Sequence, residues 1–395
     1  MTPRHIDPKL LQYPVIHHAK VPFRPEVRIP AEFSRHAETI RRLDEELNEV
    51  YLQPSDYFQF VNEALAANIH YSTKLEGNPL TEEEVRDTTR RLLDTPEPVN
   101  PGDPAPIQEI YTHLFLWLQP ETSRPPWKVS TILNLHRGLF HGIEPDAMPG
   151  QFRINDEGEF GIYSTQDQLT FKPCPARHVP REVESLLEWR NEIAPGLHPI
   201  VAATVFYHEF ESIHPFENGN GRLGRTLFHY ILHHGGLRNA HLCLIEPELL
   251  KDRERYYALL AWADQENDYQ PIIDHVAQGL LRAYQKAAEK WKERDLLTAG
   301  LSEIDIKLIV RARHSRRPFN VKDATGWVGR RSEQTIRNHL NDMVDRGIIH
   351  AEGRTVAKRY QLVDPLRAIR NFLEEMEAAA DANAPTAMPP TDSRP

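Results

Sequence analysis

The chain has 395 residues, enough for two or three domains. Its 47 Lys and Arg residues against 57 Asp and Glu residues give a net charge of −10, which argues against a protein that coats nucleic acid along its whole length. Its apolar stretches are shorter than the roughly 18 to 20 residues of a membrane helix, its two cysteines cannot build a disulfide framework, and its first residues lack the apolar core of a signal peptide, so we expect a cytoplasmic protein.

The N-terminal region is predicted to be helical, with clear start and stop signals. A Pro-Ser-Asp sequence at 54–56 is typical of a helix start, and Gly77 ends the helical pattern. Thr81 and Glu84 then form a capping-box pattern that opens the next helix. The apolar residues that share one face of the first helix are Val61, Leu65 and Ile69.

Proline-rich connections at 95–106 and 119–127 lead into a central region with core helices around 132–139 and 183–187. Between these helices lies a turn-rich stretch at 155–158, which is flanked by short β-prone runs and predicts a β-hairpin. Without further context it would be classed as a surface loop. The residues that lead into it are Gly150, Gln151, Phe152 and Arg153.

The most informative segment runs from His214 to Arg225, with the sequence His-Pro-Phe-Glu-Asn-Gly-Asn-Gly-Arg-Leu-Gly-Arg. A helix is predicted to begin inside it and to end at the Gly235-Gly236 pair. The apolar side chains that recur at helical spacing are Leu223, Leu227, Tyr230 and Ile231.

This segment has the chemistry of an anion site. Gly219 and Gly221 let the backbone turn tightly and bring its N–H groups close to a ligand. The helix that follows directs its positive end at the same place. Arg222 and Arg225 add two fixed charges that can fork onto phosphate oxygens. The site therefore suits a polyphosphate better than a single carboxylate.

The order of these residues closely resembles the signature of the Fic family of AMP transferases, His-x-Phe-x-Asp/Glu-Gly-Asn-Gly/Lys-Arg-x-x-Arg. Every position agrees except the acidic one, which is Asn218 here. The resemblance implies a mainly α protein with a Fic-type helical core and a β-hairpin flap. We place the core at residues 111–295. It also implies ATP as a substrate with Mg²⁺ or Mn²⁺.

The resemblance assigns a role to each residue of the segment. His214 would be the catalytic base that takes the proton from a target hydroxyl, which attacks the α-phosphate of ATP. Phe216 is expected to bury its ring and fix the position of His214. The residues matched to ATP binding are Phe216, Gly219, Asn220, Gly221, Arg222 and Arg225.

Asn218 stands where the family has a metal-binding carboxylate. Its neutral carbonyl oxygen is a weaker ligand for a hard cation, so we expect weakened metal binding. Whether the result is a slower enzyme or one that uses another triphosphate or metal stays open. Gly221 is a glycine rather than the lysine of the phosphate-transferring relatives, which favours AMP as the transferred group.

Two further segments match parts of the family pattern. The stretch 72–77, Ser-Thr-Lys-Leu-Glu-Gly, resembles the family's inhibitory motif, which implies that Glu76 pairs with Arg225 and takes the space of the γ-phosphate. The predicted hairpin matches the family's flap, whose backbone pairs with a target protein as an added strand. This gives Gly150, Gln151, Phe152 and Arg153 a docking role.

The chain's 20 histidines also raise the question of a zinc site. His229 and His233 lie four residues apart on one predicted helix, a spacing that zinc sites use. No Cys or Glu completes a known pattern around them, so we do not expect zinc there. His136 and His208 are interpreted as packed or capping histidines.

Residues 301–364 differ from the rest in charge, with 13 Lys and Arg against 8 Asp and Glu, a net charge of +5. Three helices are predicted at 302–313, 321–328 and 332–346, followed by a hairpin that turns at Gly353. The pattern resembles a winged helix-turn-helix. The third helix has a core face of Ile336, Leu340, Met343 and Val344 and an outer face of Gln334, Arg337, Asn338 and Asn341; Arg330, Arg331, Arg354 and Lys358 could reach phosphates.

These observations predict four regions: an N-terminal helical region with the inhibitory helix at 1–110, the catalytic core at 111–295, a small winged-helix α+β domain at 296–365, and a helical extension with a disordered tail at 366–395. The function expected is an autoinhibited protein adenylyltransferase that moves AMP to a Ser, Thr or Tyr hydroxyl of a target protein or of itself. One alternative is a DNA-binding regulator whose weakened Fic core senses nucleotide, and another is a Fic fold with a changed donor. The winged-helix region could bind DNA, bind protein or form a homodimer.

Overall fold

The computed structural model describes residues 11, 13–50, 52–119, 123–140, 148–154, 161–163, 169–295, 301–315, 317–329, 331–353 and 358–382. Over these residues the protein is mainly helical, as predicted. None of the helices found there combines the length and the apolar character that crossing a membrane requires.

Among the described residues, eleven α-helices precede residue 300. They are α1 (Phe33–Glu49), α2 (Pro54–Leu75), α3 (Glu82–Asp94), α4 (Ala105–Trp117), α5 (Val129–Leu139), α6 (Val179–Glu192), α7 (Pro199–Ile213), α8 (Asn220–His234), α9 (Ile245–Leu249), α10 (Arg253–Glu266) and α11 (Gln270–Lys292). They enclose one large hydrophobic core that runs from Phe23 to Trp291, so the N-terminal helices and the central helices are packed as one body.

Helices α7 and α8 form the centre of this core. They are antiparallel neighbours joined by a short loop, and they pack against each other more extensively than any other pair of described elements. Both are buried on almost every side, which fits their mainly apolar sequences. The predicted apolar face of α8 is confirmed, because Leu223, Leu227, Tyr230 and Ile231 are all buried.

The N-terminal helix signals are also confirmed. Pro54 is the first residue of α2, and Gly77 follows its end with a positive φ of 94° that glycine tolerates. The Thr81 side chain accepts from the Glu84 amide while the Glu84 carboxylate accepts from the Thr81 amide, which completes the capping box of α3.

The predicted hairpin around 155–158 is placed differently by the structure. Residues 151–154 form no strand, and the turn 155–158 lies outside the described residues. Instead β2 (Ile162–Tyr163) pairs antiparallel with β3 (Leu169–Lys172), and β3 pairs in parallel with β1 (Val15–Ile16), giving the order β1-β3-β2. The physical reason is that the amide of Arg153 donates to the carbonyl of Pro215 at 3.0 Å, so this backbone is committed to the α7–α8 loop.

The C-terminal part has its own small core. It is built from α12 (Glu303–Ser315), α13 (Val321–Val328), α14 (Glu333–Asp345) and the antiparallel hairpin of β4 (Ile349–Glu352) and β5 (Arg359–Leu362), in the predicted order. Ile336, Leu340 and Met343 are buried in it, and Val344 packs against it. The winged helix-turn-helix assignment itself stays a prediction, and Arg330 and Arg354 lie outside the described residues.

A last helix, α15 (Arg367–Ala382), returns to the main core, where Ile369 and Leu373 are buried. The predicted tail beyond residue 382 lies outside the part of the chain that the structure describes.

Candidate active site

The loop between α7 and α8 has a backbone shape that only a few residues permit. His214 follows the last residue of α7 and adopts a left-handed conformation with φ 50° and ψ 65°, while its amide still donates to the carbonyl of Phe210 at 3.0 Å. Gly219 precedes α8 with φ 78°, and a Cβ atom there would come within 2.6 Å of the Phe140 ring. Glycine is therefore required at 219 for both backbone and space.

The His214 side chain is prepared to act as a base. Its Nδ1 lies 3.3 Å from the carbonyl oxygen of Glu211, which can only accept, so Nδ1 carries the hydrogen and Nε2 carries the lone pair. Desolvation lowers the pKa of His214 to about 4, with Arg153 acting in the same direction and Glu76 opposing it. The imidazole is therefore neutral near pH 7.

The loop that carries His214 is anchored by the stacking of one of its aromatic side chains on a neighbouring ring. Phe216 is fully buried, as predicted, and stacks on His136 with ring centroids 3.7 Å apart and planes 10° apart. His136 accepts from the Gly150 amide at Nδ1 (2.9 Å) and donates from Nε2 to the backbone carbonyl of Asn218 (3.0 Å). His136 is thus a packed histidine, as expected, and it links the backbone at Gly150 to the α7–α8 loop.

Asn220 closes the same loop with its side chain. Its Oδ1 accepts from the Phe216 amide at 2.9 Å and its Nδ2 donates to the Phe216 carbonyl at 2.8 Å. Because both ends of this amide are used within the protein, Asn220 can offer a phosphate its backbone N–H but not its side chain.

Arg153 supports the loop from the other side. Its Nε donates to the carbonyl of His214 at 2.7 Å, and its Nη2 donates to the carbonyls of Ile213 and Cys174. The side chain is buried and turned inward, so it is not offered to a target. Gln151 is exposed and Phe152 packs on Phe216 at 5.5 Å. Docking of a target on the backbone at 150–153 stays a prediction.

The N-terminus of α8 faces the space beside His214. The first amides of a helix have no carbonyl four residues earlier to donate to, so those of residues 220–222 are suited to an anion. Arg222 adds charge there, with Nη1 2.5 Å from Glu109 Oε1 and its guanidinium 4.8 Å from the centre of the Phe140 ring. Sequence reasoning missed Glu109, because no local pattern marks it.

The end of α2 places Glu76 at this same helix terminus. The Arg225 guanidinium donates from Nη2 to Glu76 Oε1 at 2.9 Å, and from Nε to Ser72 Oγ at 2.7 Å. Burial favours the neutral acid, but Arg225 outweighs it and holds the pKa of Glu76 below its ordinary value. The predicted pairing of these two residues is thus present in the structure.

Gly221 makes room for the Glu76 carboxylate. A Cβ atom at this position would lie 2.2 Å from Glu76 Oε1 and 2.8 Å from Arg225 Nη1. Any side chain at 221 would therefore displace the Glu76–Arg225 pair. The pair lies against the first turn of α8, where phosphates are expected to bind.

A second carboxyl group, Glu211, lies close to Arg225 and was not singled out from the sequence. Burial raises its pKa to about 8, with Arg225 opposing the shift and Glu76 adding to it. Its Oε1 has no hydrogen-bond partner within the described chain, and a Cβ atom at Gly224 would come within 2.3 Å of it. Glu211 is therefore a mostly neutral acid at pH 7.

The position matched to metal binding fits a cation only partly. The Asn218 side chain is exposed, and its Oδ1 accepts from the Gly219 amide at 2.7 Å with Arg222 Nη2 3.5 Å away. A neutral oxygen already shared with two N–H donors is a weak ligand for Mg²⁺. The adjacent Glu217 is exposed as well.

The remaining histidines of this region have other partners. His229 Nε2 lies 2.8 Å from Glu246 Oε1, and His208 Nε2 contacts the carbonyl of Leu260 at 3.0 Å. His233 is half-buried and near His234. The described donor atoms of His229 and His233 do not form a metal cluster.

Comparison with known proteins relates the part of the chain that carries this site to a family. Residues 126–232 match the profile of the Fic/DOC family. A probable protein adenylyltransferase of Aquifex aeolicus is 30% identical over 146 residues, which are 37% of this chain and 39% of the relative. The protein adenylyltransferase Fic of Drosophila willistoni is 27% identical over 231 residues, 54% of this chain and 40% of the relative. The chain thus spans less than half the length of these relatives.

Solved structures show the same fold. A Fic family protein from Desulfovibrio desulfuricans superposes with a TM-score of 0.54 at 24% identity, covering 86% of this chain and 98% of that chain. A Fic domain containing signaling protein from Bacteroides thetaiotaomicron gives a TM-score of 0.51 at 22% identity, covering 65% and 98%. Residues 126–232 are thus similar to Fic domains, and the helical core has the Fic fold.

Proposed function

We propose that the chain is a protein adenylyltransferase that transfers AMP from ATP to a hydroxyl group of a protein, and that Glu76 holds it in an inhibited state. The observation that carries the proposal is a neutral His214 beside the N-terminus of α8, where Arg225 is held by Glu76. The relatives named protein adenylyltransferases support the class of reaction.

The proposed reaction uses His214 as the base. Nε2 accepts the proton of the attacking hydroxyl, whose oxygen forms a bond to the α-phosphorus of ATP. The bond from that phosphorus to the bridging oxygen breaks, and pyrophosphate leaves with the electron pair. Because Nδ1 donates to the Glu211 carbonyl, the ring is held in the tautomer that this step needs.

The phosphates would be held by the start of α8. Backbone amides of residues 220–222 and the guanidinium groups of Arg222 and Arg225 are the donors available for the charge of the leaving pyrophosphate. A divalent cation, when bound, neutralises part of that charge, and Asn218 Oδ1 is the side-chain oxygen that would contact it.

The inhibition follows from competition for one cation. Arg225 cannot give the same N–H groups to Glu76 and to a phosphate, and Glu76 adds a negative charge where the γ-phosphate is expected. ATP can bind in such a site, but in a pose that lacks one phosphate ligand. Movement of the α2 end away from Arg225, or loss of Glu76, would release the site.

The test is incubation of Glu76→Gly with Mg²⁺ and ATP labelled on the α- or on the γ-phosphate, with transfer read from the labelled protein. Label from the α-position alone is the expected result. Label from the γ-position would show that the protein transfers phosphate rather than AMP. Binding of ATP without label from either position would contradict the proposal and favour a nucleotide-sensing regulator.

A further inference from the structure

Within the part of the chain that the structure describes, three buried side chains from two distant parts of the sequence bring metal-ligating atoms together. They are His17, which follows β1, Cys174, which follows β3, and Glu182 in α6. Their ligand atoms all lie within 4.8 Å of one another, and the residues are 6%, 1% and 3% exposed. This group, which we call the HCE cluster, shares no residue with the nucleotide site, and its metal binding does not depend on the proposed function.

The hydrogen bonds around His17 aim one ring nitrogen at the cluster. Ser212 Oγ donates to Asp264 Oδ1 at 2.6 Å, so it accepts from His17 Nδ1, which is 2.9 Å away. Nδ1 therefore carries a hydrogen, and in the neutral ring Nε2 has the lone pair that a metal would use. An imidazole held through Nδ1 by an outer partner is the arrangement that metal-binding histidines commonly have.

Nε2 of the His17 ring faces a carboxylate. Nε2 has no hydrogen-bond partner in the described chain, and it lies 3.6 Å from Glu182 Oε2, which also accepts from the Lys20 amide at 3.3 Å. A carboxylate this close to a buried imidazole favours a positive charge at the contact, which either a second ring proton or a bound cation can supply.

We propose that His17, Cys174 and Glu182 form a binding site for a divalent transition metal of the zinc class. One thiolate, one carboxylate and one neutral imidazole balance the two positive charges of the ion, so the loaded site is neutral although it is buried. Sulfur and nitrogen donors select Zn²⁺ or Co²⁺ over Mg²⁺ and Ca²⁺. Binding releases the thiol proton of Cys174 to solvent.

The site would act as a structural staple. It joins the N-terminal strand β1 to β3 and α6, which are more than 150 positions away in the sequence. It also adjoins the catalytic loop, because Ser212 lies two residues before His214 and the Cys174 carbonyl accepts from Arg153. We therefore expect metal to raise the unfolding temperature without taking part in transfer.

The test measures metal on the purified full-length protein. After chelation and reloading with Zn²⁺, elemental analysis should find one more tightly bound ion per chain in the wild type than in Cys174→Ser. The matched control is Cys243→Ser, since Cys243 is also buried but lies outside the cluster; it should bind as the wild type does. Equal zinc in the wild type and Cys174→Ser would overturn the proposal, because the zinc would then be bound adventitiously by other side chains.

Two further measurements keep the test decisive if Cys174→Ser does not fold. Co²⁺ added to the wild type should give a thiolate-to-metal charge-transfer band, and its absence would overturn the proposal. Ser212→Ala keeps all three ligands but removes the partner that orients His17, so it should weaken zinc affinity by about 10- to 100-fold. An unchanged affinity in Ser212→Ala would show that His17 is not a ligand in this orientation.

Discussion

At the scale of single residues, the chemistry of His214 depends on where the chain places it. The left-handed backbone at 214 directs Nδ1 to the carbonyl of Glu211, and burial suppresses the charged form of the ring. The same local structure therefore fixes the tautomer of the ring and keeps the ring neutral.

This predicts the pH dependence of transfer. An unperturbed histidine of pKa about 6.5 would lose about tenfold in the neutral form between pH 7.5 and 5.5. The pKa of His214 is lowered to about 4, so its neutral form persists through this range. We expect the transfer rate at ATP concentrations below KM to fall by less than about twofold, because this rate reports the free enzyme. A tenfold fall with the protein still folded would show that His214 is not desolvated.

Glu211 predicts a pH dependence of stability. Its pKa is about 8 in the folded protein, against an ordinary value of 4.5. Between these values the folded state keeps a proton that the unfolded state loses, so the free energy of unfolding falls as the pH rises from 4.5 to 8. Glu211→Gln removes this dependence.

The measurement is urea unfolding of the wild type and Glu211→Gln at pH 5 and pH 8. The variant should gain stability relative to the wild type as the pH rises. Glu83→Gln, at an exposed position on α3, is the control and should follow the wild type at both pH values. Parallel behaviour of Glu211→Gln and wild type would mean that Glu211 is ionised throughout.

Asn218 predicts a change in metal dependence. Asn218→Asp replaces a shared neutral oxygen with a carboxylate, so the Mg²⁺ concentration for half-maximal ATP binding should fall by roughly tenfold, because ligand charge sets the affinity of such sites. Glu217→Gln, at the adjacent exposed position, should leave the titration unchanged. If Asn218→Asp gives the wild-type titration, then residue 218 does not face the cation.

At the scale of elements, the end of α2 and the start of α8 work as one unit. Arg225 is engaged twice from α2, by Ser72 and by Glu76, and Gly221 leaves the space that the carboxylate occupies. An exposed ion pair is typically worth less than about 1 kcal/mol. The effect of this pair on activity should be larger, because carboxylate and phosphate compete for one guanidinium.

This unit predicts a specific pattern in a double-mutant test. Glu76→Gly should raise AMP incorporation by more than about fivefold, the equivalent of about 1 kcal/mol. Arg225→Ala should not activate, since it loses the phosphate ligand along with the inhibitory contact, and the double variant should match Arg225→Ala. Activation of Arg225→Ala to the level of Glu76→Gly would show that Arg225 only anchors the inhibitory residue. Glu83→Gly serves as the control for helix damage.

The elements show which parts of the fold can be predicted from local sequence signals. Caps and apolar periodicity located α2, α3, α8 and the helices of the C-terminal part, because these signals lie within a few residues of the elements that they define. The hairpin was misplaced, because the segment before its predicted turn is committed to Pro215 rather than to a neighbouring strand. That commitment depends on a tertiary contact which no local pattern encodes.

The same limit applies to the site. The segment 214–225 and Glu76 were predictable because a fixed order of residue types identifies them. The roles of Glu109, Glu211 and the side chain of Arg153 depend on which distant groups surround them after folding. The HCE cluster joins residues 17, 174 and 182, so only the folded chain reveals it.

At the scale of the whole molecule, one core connects α2 with the α7–α8 loop, while described residues between 301 and 362 form a second, smaller core. Helix α15 then returns to the first core. Any signal that displaces α2 must therefore work against extensive packing, as the proposed inhibition requires.

The most direct test of this account is the intact mass of three proteins after incubation with Mg²⁺ and ATP, in the presence and absence of candidate targets. Glu76→Gly should gain the mass of AMP on itself or on a target, the wild type should gain much less, and Glu76→Gly with His214→Ala should gain none while still binding ATP. The account would be contradicted if the double variant gained AMP at the rate of Glu76→Gly, or if Glu76→Gly gained no more than the wild type.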